Sequence, residues 1–175
     1  MKEYLRKLKL VDTLSMEIDI SQIEFVEKLQ NIVDKGSIGL FAEPFEMLNS
    51  GKNEYKGQVN FEGFKIRKRR KFFDSISSIS SAEGAFFEQN SKLRIDIEIN
   101  CFSSFLIPVL IFLVILYSIS LVTILGSDGE TALIAIPFLL IHGTILTTLP
   151  YFMMRRSIQK LKYDLEREFI YISRK

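Results

Sequence analysis

The stretch FKIRKRRKFF, residues 64–73, holds six basic residues within seven positions, with aromatic residues at both ends. Guanidinium and ammonium groups at this density suit an anion: a phosphate, a lipid headgroup or a nucleic-acid backbone. Read as a strand, Lys65, Arg67, Arg69 and Lys71 project to one side, and Phe64, Ile66, Lys68, Arg70 and Phe72 to the other. The second side is apolar at its ends and cationic in its middle, which breaks the pattern of a plain core strand. A bulge, or a strand that overruns its sheet, would relieve the conflict. Otherwise Lys68 and Arg70 face a cleft that calls for an anion. Three readings stand: strand charges paired with Asp96, Glu98, Glu54 or Glu62; anionic phospholipid; and a soluble anion such as a nucleotide. The whole chain carries only +2, so nucleic acid is not an expected partner.

Other chemistry is sparse. The chain has one histidine, one cysteine and no tryptophan. A Cys/His metal site is excluded, and no metal or cofactor is expected. Cys101 precedes a long apolar run and reads as a small hydrophobe. The first hundred residues contain no histidine, so Ser-His or Cys-His nucleophilic catalysis has no base there. Asp96 and Glu98 are outward neighbours on a strand, as are Glu17 and Asp19, and neither makes a catalytic pair. No catalytic residue is assigned and no enzyme is expected.

His142 stands in the middle of an apolar segment, where a polar side chain is costly and often functional. On a helix it shares a face with Ala135, Leu139, Gly143, Leu146 and Thr147, small enough in part for another helix to approach. Two readings stand: a neutral histidine hydrogen-bonded to Ser118, Ser120 or Thr123 of a neighbouring helix, or a residue that handles protons or gates a pathway.

The elements that position these residues follow from hydropathy. Residues 102–125 and 131–154 are free of charge. As helices each is roughly 36 Å long, enough to cross a ~30 Å hydrocarbon core. The loop Gly126-Ser127-Asp128-Gly129-Glu130 carries acids and no base, whereas Arg155 and Arg156 follow the second segment at once. The excess of positive charge predicts both termini in the cytoplasm and the loop outside, in the inner membrane of a bacterial cell. The opening residues are charged throughout, without the apolar core of a secretory signal.

Ahead of the apolar segments, residues 13–20 alternate as a half-buried strand. Ser21 and Glu24 have the form of a capping box for a helix over residues 22–35, ended by Gly36. A short helix is predicted over 41–48. Strands are predicted over 54–62 and 64–73, joined at Glu62-Gly63, and over 84–89 and 93–99, turning at Asn90-Ser91. The serine-rich stretch between these hairpins reads as an exposed loop. After the second apolar segment, Ile158, Leu161, Leu165, Phe169 and Ile172 form a helical stripe. It suits either docking on the chain's own domain or self-association. The N-terminal KEYLRKLKL is also amphipathic and basic, fit to rest on the inner leaflet.

The strand-then-helix over residues 13–33 resembles the opening of START-like helix-grip domains, which cradle apolar ligands. The long C-terminal helix of that fold does not occur before the apolar segments, so no ligand cavity is implied. Tyr55-Lys56-Gly57-Gln58-Val59, Phe64-Lys65-Ile66 with the basic residues after it, Gly84, and Leu93-x-Ile95-x-Ile97 leading into two apolar segments resemble a group of small two-span bacterial membrane proteins. That resemblance implies architecture and no activity.

The expected fold is an α+β domain (strand, helix, antiparallel meander) over residues 1–100. A transmembrane hairpin follows, with spans at 101–126 and 131–154 around an external loop at 127–130. An amphipathic tail helix at 155–175 ends the chain. The candidate anion- or lipid-binding residues are Lys65, Arg67, Lys68, Arg69, Arg70 and Lys71, with His142 in the membrane core and Arg155 and Arg156 beside the membrane. The expected function is membrane-anchored binding or assembly, with membrane lipid and a protein partner or second copy as partners. The alternative is a ligand-gated effector whose cytosolic domain senses an anionic small molecule.

Overall fold

A computed structural model describes residues 2–38, 52–69, 79–89, 92–101, 106–126 and 129–174. The chain forms two compact units, residues 1–102 with 154–175, and residues 103–153.

The first unit is an α+β sheet domain. Its elements are α1 (Lys2–Lys7), β1 (Val11–Ile18), α2 (Gln22–Ile32), β2 (Val33–Lys35), β3 (Tyr55–Val59), β4 (Gly63–Lys68), β5 (Ser81–Gln89) and β6 (Lys92–Asn100). The six strands lie in the order β1-β6-β5-β4-β3-β2. All pairs are antiparallel except β2 with β3. β6 follows its pattern closely: Leu93, Ile95, Ile97 and Ile99 are buried and Arg94 is exposed.

Local chemistry sets the joints. The hydroxyl of Ser21 accepts from the Glu24 amide at 3.3 Å and caps α2. The return bond of a capping box is replaced by a Glu24–Lys28 pair at 2.6 Å. The helix predicted to reach residue 35 stops at Ile32. Val33, β-branched, turns extended and starts β2, because its backbone has a partner in β3. The β3–β4 turn spans Asn60–Gly63 and not Glu62-Gly63 alone: the Asn60 side chain accepts from the amides of Glu62 and Gly63 at 3.1 and 2.8 Å. The serine-rich stretch is not wholly an exposed loop either. Ser80 is fully buried and β5 begins at Ser81. The short helix predicted over residues 41–48 lies outside the described residues.

The tail docks on this domain. The last part of α4 (Gly129–Arg174) belongs to the first unit. There Ile158, Leu161, Leu165, Phe169 and Ile172 are buried against α2 and the inner face of the sheet. Phe169 meets Phe25 edge-on at 5.1 Å and Phe64 at 5.5 Å between ring centres, arrangements that add to plain burial. Gly84 makes room for this cluster, since a β-carbon there would lie 2.4 Å from the Phe64 ring. The inner face is therefore filled with side chains. The helix that packs on the sheet arrives from beyond the apolar segments.

The second unit holds α3 (Leu106–Leu125) and the first part of α4. Among the described residues one helix, Ala132–Arg174, contains a window long and apolar enough to cross a membrane, and Ile111–Leu125 is a shorter apolar helix. Pro137 and Pro150 lie inside α4.

Candidate functional site

The basic strand β4 decides how the positive charge is used. Lys65 is exposed and pairs with Glu83 at 3.2 Å across the β4–β5 ladder. Arg67 lies on the same outer face beside Lys56, its cross-strand partner, and both are buried. One Arg67 nitrogen donates to the Lys68 carbonyl at 3.4 Å. Lys68 points inward, as its parity predicted. Its ammonium lies 2.7 Å from Asp164 of the tail helix and 3.4 Å from Glu54. Burial alone would lower the Lys68 pKa; the hydrogen bond and charge of Asp164, with Glu54, outweigh it and raise the value. Arg69 is paired with Asp34 and donates to the Asn53 carbonyl at 3.3 Å. Asp34 also accepts from the Asn53 side chain at 3.0 Å. Arg70 and Lys71 lie outside the described residues.

The anion that Lys68 calls for is thus internal. Glu54 was among the acids read as cross-strand partners; the principal partner, Asp164, was not. Asp96 and Glu98 pair elsewhere, with Arg94 at 3.2 Å and Arg6 at 3.7 Å. The burial of Lys68 and Asp164 extends to Tyr55, whose hydroxyl is held well above its ordinary pKa, first by burial and then by the charges of Asp164, Glu168 and Glu54.

Two more polar clasps hold the tail helix. Ser157 and Ser80, both fully buried, bring their hydroxyls to 2.8 Å, and the Ser80 amide donates to the Ser157 hydroxyl at 3.2 Å. Lys162 donates to the Asp12 carboxylate at 2.9 Å and to the Thr13 carbonyl at 3.1 Å. Cys101 is buried in the same core, and burial pushes its thiol up to about 12, which fits a packing role.

The outer face carries an open trough of about 770 Å³, crossing the strands from Ser15 to Gln58 with Gly63 and Ala85 in its floor. Two ion pairs lie along it, Lys65–Glu83 and Arg94–Asp96, each at 3.2 Å. The Ser15 hydroxyl donates to Asp96 at 2.5 Å, and Arg94 donates to the same carboxylate at 3.2 Å. The Ser15 bond first, then Arg94, holds Asp96 below the usual carboxylate range. Among the described residues no group of His, Cys, Asp and Glu could hold a metal ion.

In the second unit His142 finds a partner other than those expected. Its Nδ1 lies 2.6 Å from the Tyr117 hydroxyl, and Phe138 stacks on its ring at 5.9 Å. Ser118, Ser120 and Thr123 turn back to carbonyls of their own helix at 2.7, 2.9 and 3.0 Å. Gly143 admits the tyrosine ring, since a β-carbon there would lie 3.0 Å from it. Tyr117 is the only tyrosine in α3, and that is the signal that singles it out. Arg155 is half-buried and Arg156 exposed.

No protein-family model, curated protein or solved structure matches the chain.

Proposed function

We propose that the chain is a membrane-anchored, non-enzymatic binding or assembly protein of the bacterial inner membrane, with both termini in the cytoplasm. In this reading residues 103–153 form a two-span hairpin and the sheet domain lies at the inner leaflet. Its partners are membrane lipid and a protein partner or second copy.

One observation carries the reading. The residues that flank the apolar stretch, up to Phe102 and from Met154, belong to one compact unit. A chain that leaves a sheet and returns to pack on that sheet crosses a bilayer an even number of times. Each crossing takes about 20 residues, so residues 103–153 have room for two crossings and not for four. The exposed side chains of Ile111, Phe112, Val114, Leu133, Ile134 and Phe138 suit contact with acyl chains. Arg155 and Arg156 after the second span, against an acidic loop, favour the cytoplasmic side for both ends. The test is thiol labelling of intact cells carrying Ser127→Cys or Ser173→Cys. Labelling of the first, and of the second only after permeabilisation, is expected; the reverse pattern overturns the reading.

A second reading, a ligand-gated effector with oligomerised spans, has its own support. α4 runs as one helix from Gly129 to Arg174, so the second apolar segment and the residues that bear Asp164 share one element. It requires span-dependent permeability that disappears when the tail is cross-linked to the sheet. Permeability that is unchanged by the cross-link excludes it.

A further inference from the structure

Lys65, Lys68 and Arg69 of the basic stretch are each engaged by an acid of the same chain. Lys65 pairs with Glu83, Lys68 with Asp164 and Glu54, and Arg69, just beyond the strand, with Asp34, while Arg67 is buried. The N-terminal segment differs. Residues 2–9 hold Lys2, Arg6, Lys7 and Lys9 against a single acid, Glu3. Arg6, Lys7 and Lys9 are exposed, and so are Tyr4 before them, 73% exposed, and Leu8 among them, 49% exposed. Lys7 lies over the Tyr4 ring at 5.9 Å. Among the described residues Arg6 pairs with Glu98, at 3.7 Å near the surface.

The segment is held firmly. Leu10 is buried, and its amide bonds back to the Leu5 carbonyl at 2.8 Å while the Lys9 amide bonds to that of Arg6 at 2.9 Å. This pair of bonds is a Schellman ending, in which Lys9 takes the left-handed position. Its φ is +55°, the only positive value at a non-glycine residue among those described. Glycine fits that position without strain. A lysine there keeps a cation at an unfavourable backbone setting, and such outliers point to function. The location agrees. The Leu10 carbonyl accepts from the Cys101 amide at 3.4 Å, and Val11 pairs with Asn100, so α1 ends where β6 gives way to the apolar stretch.

We infer that α1 and its Lys9 ending form a docking surface for an anionic bilayer, with Arg6, Lys7 and Lys9 meeting lipid phosphates and Tyr4 and Leu8 entering the headgroup layer. Charge complementarity and interleaved apolar side chains are the marks of an interfacial helix. The inference rests on the membrane reading above and names the lipid class that it involves.

The chain has no tryptophan, so Leu8→Trp creates a single reporter at an exposed position. The full chain with this substitution is placed in nanodiscs of phosphatidylcholine alone or mixed with phosphatidylglycerol. A blue shift of emission and quenching by brominated acyl chains are expected in the anionic discs only, and high salt reverses both. Adding Lys7→Gln and Lys9→Gln lowers the ratio of docked to free segment about fivefold for each lysine. Trp emission that stays at its water-exposed position in both discs overturns the inference, and so does an equal shift in both. If carbonate extracts the full chain from membranes, the membrane reading fails and takes this inference with it. Silence of the reporter in a carbonate-resistant chain defeats the inference alone.

Discussion

Lys68 and Lys7 each belong to a run of basic residues, yet the fold treats them in opposite ways. Lys68 is driven inward by strand parity and has 10% of its side chain exposed, against 9% for Asp164. Lys7 projects from a helix ending anchored by buried Leu10, and it is exposed beside a tyrosine ring. Taking a charge out of water costs several kcal/mol and is sustained only by a well-placed partner, so the buried lysine had to be answered from within the chain. The exposed one carries no such requirement. Density of charge in a sequence therefore says little about availability; what the neighbouring elements bury decides it.

This contrast can be broken at its strong end first. Asp164→Ala takes the principal partner from buried Lys68 and leaves it Glu54 at 3.4 Å, and the expected loss is up to about 3–5 kcal/mol of stability, measured by denaturant unfolding of the full chain in detergent. The double change Lys68→Met with Asp164→Leu is expected to be far milder, because two apolar groups of similar size remove the desolvation cost. The pH dependence follows from the sign of the shift. The folded-state pKa of Lys68 is raised above 10.5, so its contribution is full below 10.5 and is lost as pH climbs through the folded value. Asp164→Ala should shrink that alkaline component, with Glu54 left as the one acid among those raising the value. An unfolding profile that is unchanged in both respects would mean that the clasp does not form.

Ser157→Val comes next. It leaves the buried Ser80 amide without its acceptor while the Ser80 hydroxyl keeps the carbonyl of residue 157 at 3.2 Å, and the expected cost is about 1–3 kcal/mol in the same unfolding measurement. Lys9→Gly acts in the other direction: relief of the left-handed strain should raise stability by up to about 1 kcal/mol while weakening docking to anionic discs. A variant that gains stability and loses lipid binding separates the two roles of that residue. Lys65→Gln and Lys7→Gln are expected to change stability by less than about 0.5 kcal/mol, as exposed charges do. Only the second should alter lipid docking.

Much of the sheet was legible because period-two alternation and turn chemistry are local. β6 follows its own pattern residue by residue, Ser21 caps α2, and the inward parity of Lys68 is correct. The misses are where a distant partner overrides a local preference. Val33–Lys35 leaves the helix because β3 offers backbone hydrogen bonds, and Ser80 is buried because Ser157 lies across from it. Asp164 is 96 residues from Lys68 in sequence, so no local rule links them. A trace was nonetheless present. Ser157 and Asp164 are seven apart and flank the apolar stripe of the tail helix, and polar groups at that spacing beside a buried face invite a search for partners. The same applies to His142, where the nearest hydroxyl-bearing candidates spend their bonds on their own helix and Tyr117 supplies the partner.

The account depends on residues from either side of the apolar stretch packing together at one membrane face. Ser80 and Ser157 offer the direct test, with hydroxyl oxygens 2.8 Å apart, a separation close enough for a disulfide once both are cysteine. The one native thiol, Cys101, is buried and unactivated. In native membranes, Ser80→Cys with Ser157→Cys should cross-link nearly completely under mild oxidation while the chain stays resistant to carbonate. Failure to cross-link, with the two cysteines labelled from opposite sides of the membrane, would contradict the account.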